Sequence, residues 1–546
     1  MKAGFKEQKD TASGAFRSQN YPQALDACLA ALKFTEGKND KFIKMLLAQT
    51  LTHFSSAEFS PALRDAVLTT LQSDGIDYKK IMTVWYRMMM LDPAFVPLFK
   101  ERGESLSEGE WKELEPILTH PYLTEGLRRF IIAILPLELI LVRLRRILLL
   151  DILPKGGLKT KHLNFLCALA ELCFTNEYIY DVTEAEKKAV AVLSKDDAIA
   201  ISLRGCYEPL YKHQFNRKIS AVQPFRQMVA LQVTAKEREI ALRNTIPALG
   251  AIKNAVSQNV QAMYEENPYP RWSYIDVPVH TAADTEGDIL VAGCGTGQYV
   301  TYVALNFPQL HVEGVDISLS SLAYAKRQAE DYGAHNTNFR QCDILELPLL
   351  GKKFDYINCS GVLHHMADPE AGWRKLIEVM KPGGAMYISL YSTIAHRVLS
   401  DVRQQMRDKG LKPNFDDMKK ARADIIGRPR GDKARAVAWY RDFYSASEMR
   451  DLIFHIQERT YTFLELKDIF ERLDLELVQM ISISDWLKKH YLEKYPDNPA
   501  MDNFEYWHAI EPEFPDAFAA MYHFICKRKS DSHLNPLVQT VLKRGV

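Results

Sequence analysis

Apolar residues follow two different rhythms along this chain. The first 263 residues repeat them at helical spacing. Ala24, Leu25, Ala27, Cys28, Ala31 and Leu32, following Tyr21, put small and apolar side chains on one face of a helix. Leu137, Leu141, Leu144 and Leu148 continue the rhythm through 137–150, and a further helix covers 164–174. After residue 272 the rhythm changes to short apolar runs alternating with helical stretches. Strands are predicted at 288–292, 311–315, 338–342, 354–359 and 385–390, and helices at 300–306, 319–332 and 369–380. Strand–helix alternation of this kind builds a parallel sheet covered by helices on both faces. Between the two regimes stands Asn267-Pro268-Tyr269-Pro270-Arg271-Trp272, whose prolines forbid regular helix.

Composition narrows the classes. A chain of 546 residues accommodates three or four domains. Lys+Arg and Asp+Glu are 69 each, so no bulk positive charge recruits nucleic acid. The 130–150 stretch is apolar, but Glu138, Arg143, Arg145 and Arg146 interrupt it, so it reads as a buried helix and no membrane partner is expected. Eight cysteines without a Cys-x-x-Cys pair make no disulfide framework, and the amino-terminal residues hold no apolar signal core. A soluble, cytoplasmic protein is expected.

The chemistry concentrates at the predicted strand ends. Strand 288–292 runs into Gly293-Cys294-Gly295-Thr296-Gly297-Gln298 and then a helix. Gly293 suits a sharp turn, and Gly295 leaves room for a ligand against the backbone. Gln298 occupies the third-glycine position of the dinucleotide fingerprint, which fits a ligand without a pyrophosphate. The second strand ends at Asp316, placed to accept two ribose hydroxyls, and the third at Asp343, placed to accept an exocyclic amine. The fourth ends at Ser360-Gly361, followed by His364-His365.

Together these blocks resemble class I S-adenosylmethionine-dependent methyltransferases. The resemblance implies an α/β, Rossmann-like seven-stranded domain, preceded by an all-α half, with the last strand antiparallel at 521–527 and its predecessor at 475–481. It also implies S-adenosylmethionine as cofactor, held by Gly293, Gly295, Gly297, Gln298, Asp316, Ile317, Asp343, Ile344, Ser360 and Gly361. Tyr264 and Tyr269 are read as a lid over the cofactor and Arg271 as a partner for its carboxylate, with Trp272 plugging the sheet edge and a solvated Arg271 as the alternative. Phe174 to Ile179, the Tyr264–Trp272 block and the segment around His455, Gln457 and Glu458 are similar to bacterial multidomain methyltransferases with a helical, tetratricopeptide-like amino-terminal region, in plan like the rickettsial-type protein lysine methyltransferases. The implied domains are 1–110, tetratricopeptide-like; 111–263, a regulatory or dimerisation region; 264–392 with 461–530, the methyltransferase core; and 393–460, an insertion or cap.

For catalysis the candidates are Tyr391, His364 and His455. No metal is expected, since adjacent histidines do not share a face and no acid or thiol partner lies at ligand spacing. The implied acceptor is a protein side chain such as lysine. The alternatives are a small-molecule methyltransferase and a helical binding module with a degenerate cofactor fold. The helical half can serve docking or a homodimer contact.

Overall fold

The computed structural model describes residues 2–54, 58–221, 223–275 and 285–544. The chain divides into two compact units. One comprises Met1–Glu237, Ser273–Val279 and Ala438–Ala446, and the other Arg238–Trp272, His280–Val437 and Ser447–Val546.

The first unit is helical. Asn20 caps the helix Tyr21–Ala31, whose Ala24, Ala27, Cys28 and Ala31 are buried, and small side chains there admit the close approach of the helix Lys2–Arg17. The apolar stretch centred on Leu135–Ile147 is a buried helix. Among the described residues no helix is long and apolar enough to cross a membrane. The charges in that stretch are compensated internally. Arg145 is wholly buried, stands 3.6 Å from Glu186, donates to the carbonyls of Cys206 and Asp181, and lies over the Tyr207 ring. A buried guanidinium requires such partners, which here reach both terminal nitrogens but not Nε.

The second unit is built on an eight-stranded sheet: β1 (Ala248–Leu249), β2 (Gly287–Ala292), β3 (Leu310–Asp316), β4 (Thr337–Cys342), β5 (Phe354–Ser360), β6 (Met380–Leu390), β7 (Leu475–Ile481) and β8 (Tyr522–Arg528). Their spatial order is β1-β4-β3-β2-β5-β6-β8-β7. The pairs from β1 to β6 are parallel, and β8 runs antiparallel between β6 and β7. Seven strands therefore follow the expected arrangement, with two residues of β1 added at the edge beside Gln341 and Cys342. A two-residue strand has no periodicity to read.

Each strand of the centre is buried on both faces. Leu290 and Ala292 of β2 face a cluster containing Trp373, Phe470 and Trp507, while Ile289 and Val291 face Val300, Leu322 and Val538. Period-two alternation thus sends an unbroken apolar run to two cores. One boundary differs from expectation. The helix Pro369–Glu378 stops before Met380, which already pairs with Phe354 at the start of β6. The glycines after it lie inside the strand rather than ending the helix. A Cβ on Gly384 would sit 2.9 Å from the Lys381 carbonyl oxygen and 3.0 Å from that of Asp355, so close backbone approach explains this glycine.

Trp373 is 1% exposed, with its ring centroid 5.9 Å from that of Phe470 and 6.2 Å from that of Phe524. Trp373→Ala should destabilise the sheet unit by about 3–5 kcal/mol, read as a lower urea midpoint for the transition reported by far-ultraviolet circular dichroism.

Candidate functional site

Because β2 has β3 on one side and β5 on the other, the connections diverge there and leave a crevice at the carboxyl ends of the strands. A cavity of about 340 Å³ occupies it. The glycine loop contributes Gly293, Gly295 and Gln298 to the lining, β3 contributes Asp316 and Ile317, and the turn after β4 contributes Asp343 and Ile344. Ser360 and Gly361 follow from β5, and Tyr391 from the end of β6. Tyr269 covers one side, and Tyr264 on the helix Ala255–Glu266 lies beside it, ring centroids 6.4 Å apart. Eleven of the residues singled out from sequence thus meet at one cavity.

The loop is not open toward a ligand at every glycine. Gly293, Gly295 and Gly297 have φ of +70°, +51° and +75°, a region L side chains rarely adopt. A Cβ on Gly293 would strike Val362 at 2.4 Å, and one on Gly297 would strike Ala325 at 2.5 Å. At Gly295 the space is taken by the Tyr269 carbonyl oxygen, 2.8 Å from the same position. The 269–272 strap is therefore what needs Gly295 bare. Thr296 donates to the Pro270 carbonyl, and the Trp272 indole donates to the Thr296 carbonyl at 2.9 Å, fastening strap to loop. Trp272 seals the glycine loop rather than the sheet edge.

Asp316 is the electrostatic centre of this half of the site. Its carboxylate accepts from the Gly295 and Ser318 backbone N–H groups, each at 2.8 Å. Burial nevertheless pushes its pKa up to about 6, the two backbone hydrogen bonds offsetting only part of the desolvation. A carboxylate oxygen accepts more than one hydrogen bond, so two ligand hydroxyls fit this group. Asp343 caps the turn that follows it by accepting from the Leu345 N–H at 3.0 Å, and its other oxygen makes no hydrogen bond among the described residues. A cofactor carrying a vicinal diol and an exocyclic amine matches these two acids.

The other half of the cavity is formed by Tyr264, His365, Met366, Tyr391, Asp451 and Met521. Here the paired histidines separate. His364 is fully buried behind the wall, its ring 4.1 Å from that of Tyr391, whereas His365 reaches the cavity. His455 also lies behind the lining, stacked on His365 at 3.6 Å and 19°. Arg271 and Gly297 are not among the described residues that line it. His365 and Asp451 are functional candidates that sequence alone does not single out. Adjacent histidines give no sign of which one faces inward, but Asp451 stands one helical turn before His455, a spacing that could have flagged it.

The charged residues lining the cavity are Asp316, Asp343 and Asp451, and no Lys or Arg joins them among the described residues. Ring nitrogens of His365 and His455 and an Asp451 oxygen lie within 4.8 Å of one another. Stacked imidazoles make a poor cradle for an ion, because metal bonds lie in the ring plane and these planes are nearly parallel. Both His455 nitrogens are moreover engaged: Nδ1 accepts from the Gln457 N–H at 3.2 Å, and Nε2 lies 3.3 Å from the Tyr264 hydroxyl.

Residues 284–440 match a family described as a methyltransferase domain. This chain carries a methyltransferase domain. An uncharacterized protein of Synechococcus sp. is 30% identical over 222 residues, covering 37% of this chain and 49% of that protein. A ubiquinone biosynthesis O-methyltransferase of Marinobacter nauticus is 32% identical over 130 residues, covering 23% of this chain and 52% of its own. The chain thus spans about half the length of these curated relatives. Among solved structures, PKMT2 from Rickettsia typhi in complex with AdoHcy aligns at 18% identity and a TM-score of 0.36, over 45% of this chain and 49% of that one. The methyltransferase domain match begins after Tyr264 and the strap and ends before Asp451.

The raised pKa of Asp316 has a stability consequence. In the ligand-free protein the folded state holds this proton more tightly than the unfolded chain, whose Asp titrates near 3.9. Stability is therefore lost as pH rises from about 4 to about 6 and stays lower above that range. Asp316→Asn should remove this loss, so that its urea midpoint exceeds that of wild type at pH 7 by more than it does at pH 4.

Proposed function

We propose that this protein is an S-adenosylmethionine-dependent methyltransferase whose acceptor is an amine, foremost a protein lysine side chain. The observation that carries the reading is the cavity itself: a buried Asp316 bonded to the glycine loop at one end, and a lining whose only charged side chains, among the described residues, are carboxylates. An all-acidic lining favours a cationic or neutral acceptor and disfavours a carboxylate or phosphate. The resemblance to protein lysine methyltransferases points to the same class of acceptor.

When bound, the cofactor supplies a methyl group on a sulfonium, whose sulfur leaves without needing a proton. The chain's work is then to bind, align and exclude water. Asp316 accepts the ribose hydroxyls and Asp343 the adenine amine, with Ile317 and Ile344 packing beside the base. Tyr264 and Tyr269 shield the transfer region from solvent. Asp451 and His365 stand at the acceptor end, and Tyr391 forms the wall between the β6 end and His364. The helical unit serves as a docking surface for a macromolecular substrate or as a homodimer contact. Eight cysteines without disulfides accord with a reducing, cytoplasmic setting.

A second reading, methylation of a small molecule, is favoured by the likeness to a ubiquinone biosynthesis O-methyltransferase. Incubation with methyl-labelled cofactor and cell lysate separates the two. Label in the protein fraction, on lysine, supports the first reading, and label confined to small molecules refutes it. Asp316→Ala should weaken S-adenosylhomocysteine binding by roughly 1.5–3 kcal/mol, measured by calorimetry. Unchanged affinity in a folded variant would remove Asp316 from the cofactor site.

A further inference from the structure

The acceptor end of the cavity contains a group of side chains whose proton positions can be read from their neighbours. Gln457 lies just beyond the helix Ala446–Phe454, and its peptide groups hold both stacked histidines. Its carbonyl oxygen lies 2.8 Å from His365 Nδ1. A carbonyl only accepts, so this nitrogen carries the proton. Burial, aided by the nearby Arg403 guanidinium, pushes the His365 pKa down to about 3, so the ring is neutral at physiological pH. Its Nε2 is therefore a bare lone pair, with no hydrogen bond among the described residues, on a side chain that lines the cavity.

His455 has the opposite arrangement. The Gln457 N–H donates to its Nδ1, which places the proton of the neutral ring on Nε2, facing the Tyr264 hydroxyl oxygen at 3.3 Å. The Tyr264 hydroxyl in turn donates to Asp451 Oδ1 at 2.8 Å. The chain of donors runs from His455 through Tyr264 and ends on the carboxylate. Asp451 is thereby fixed in place as an acceptor at the cavity wall. One loop residue thus sets two tautomers, one that presents a lone pair directly and one that orients a carboxylate through a phenol.

We propose that His365 Nε2 and the Asp451 carboxylate form a two-point clamp for the N–H bonds of the amine acceptor, leaving its lone pair directed at the cofactor. A His365 ring nitrogen and an Asp451 oxygen lie within 4.8 Å. An sp³ nitrogen about 2.9 Å from each of two such acceptors would subtend an angle of up to about 110°, matching two of its N–H bonds. The clamp rests on the amine reading above. It adds that recognition is split between an imidazole and a carboxylate acceptor, contributed by the turn after β5 and by the helix Ala446–Phe454. Tyr264, His455 and Gln457 are positioning residues in this scheme.

The test uses two probes built on S-adenosylhomocysteine with nitrogen replacing sulfur, one bearing a 2-aminoethyl arm and the other a propyl arm of the same length. Calorimetry on the full-length protein should give tighter binding of the aminoethyl probe. That preference should fall by about tenfold in Asp451→Asn and about fivefold in His365→Phe, with the propyl affinity and the thermal midpoint unchanged. A preference that persists undiminished in both variants would overturn the clamp alone. Equal binding of the two probes by wild type would overturn the amine reading and the clamp with it, and binding of neither would overturn the cofactor reading beneath both. Tyr264→Phe supplies an independent variant: it keeps the ring, removes the donor to Asp451, and should lower the same preference without changing propyl binding.

Discussion

The second unit depends on one constraint: the four residues Ile289 to Ala292 are apolar without interruption and must be hidden from water on both faces. Helices therefore have to cover both sides of the sheet, and consecutive central strands have to run parallel so that each crossover can deliver one. Parallel strands in turn bring every loop that follows them to the same edge. Gly293, Asp316, Asp343, Ser360 and Tyr391 converge there because the strands before them share a direction, although nearly a hundred residues separate the first from the last.

Much of this frame was legible in the sequence because periodicity reports burial. The helix Leu319–Tyr332 and the strand Leu475–Ile481 have the predicted limits, and the central strands differ mainly by a residue or two at their ends. Beta-6 is the exception, since its first residues carry the Pro-Gly-Gly run that reads locally as a turn, and they are tied to the sheet by distant partners, Phe354 beside Met380 and the Arg528 guanidinium on the Met380 and Lys381 carbonyls. The cofactor half of the cavity was legible for the same reason, each of its residues lying directly after a strand. In the other half Tyr391 was legible in the same way, at the end of β6, but Asp451 was not. Tyr264 meets Asp451 across 187 positions, and no local pattern records such a contact. The strap over Gly295 is of the same kind: the glycine announces a close approach, but not which backbone makes it.

The cavity is also electrostatically one-sided. Three carboxylates line it with no cation among the described residues, and two Asp316 hydrogen bonds leave that group still well above its ordinary pKa. The ionised form of Asp316 is thus a cost to folding. A ligand that brings hydroxyls to Asp316 would relieve it, so part of the affinity would come from restoring hydrogen bonds that burial removed. The acceptor end has a different economy, because neutral His365 asks for a donor without adding charge.

The stretch that matches the methyltransferase domain family, 284–440, contains the glycine loop, both strand-end acids, His365 and Tyr391, while Tyr264, Asp451, His455 and Met521 all lie outside it. The wall facing the glycine loop is thus assembled from residues inside and outside the matched stretch. Substitutions in the helix Ala446–Phe454 or around Gln457 therefore reshape one side of the cavity while every residue of the matched stretch stays in place, and two chains alike throughout 284–440 can differ in the shape of that side.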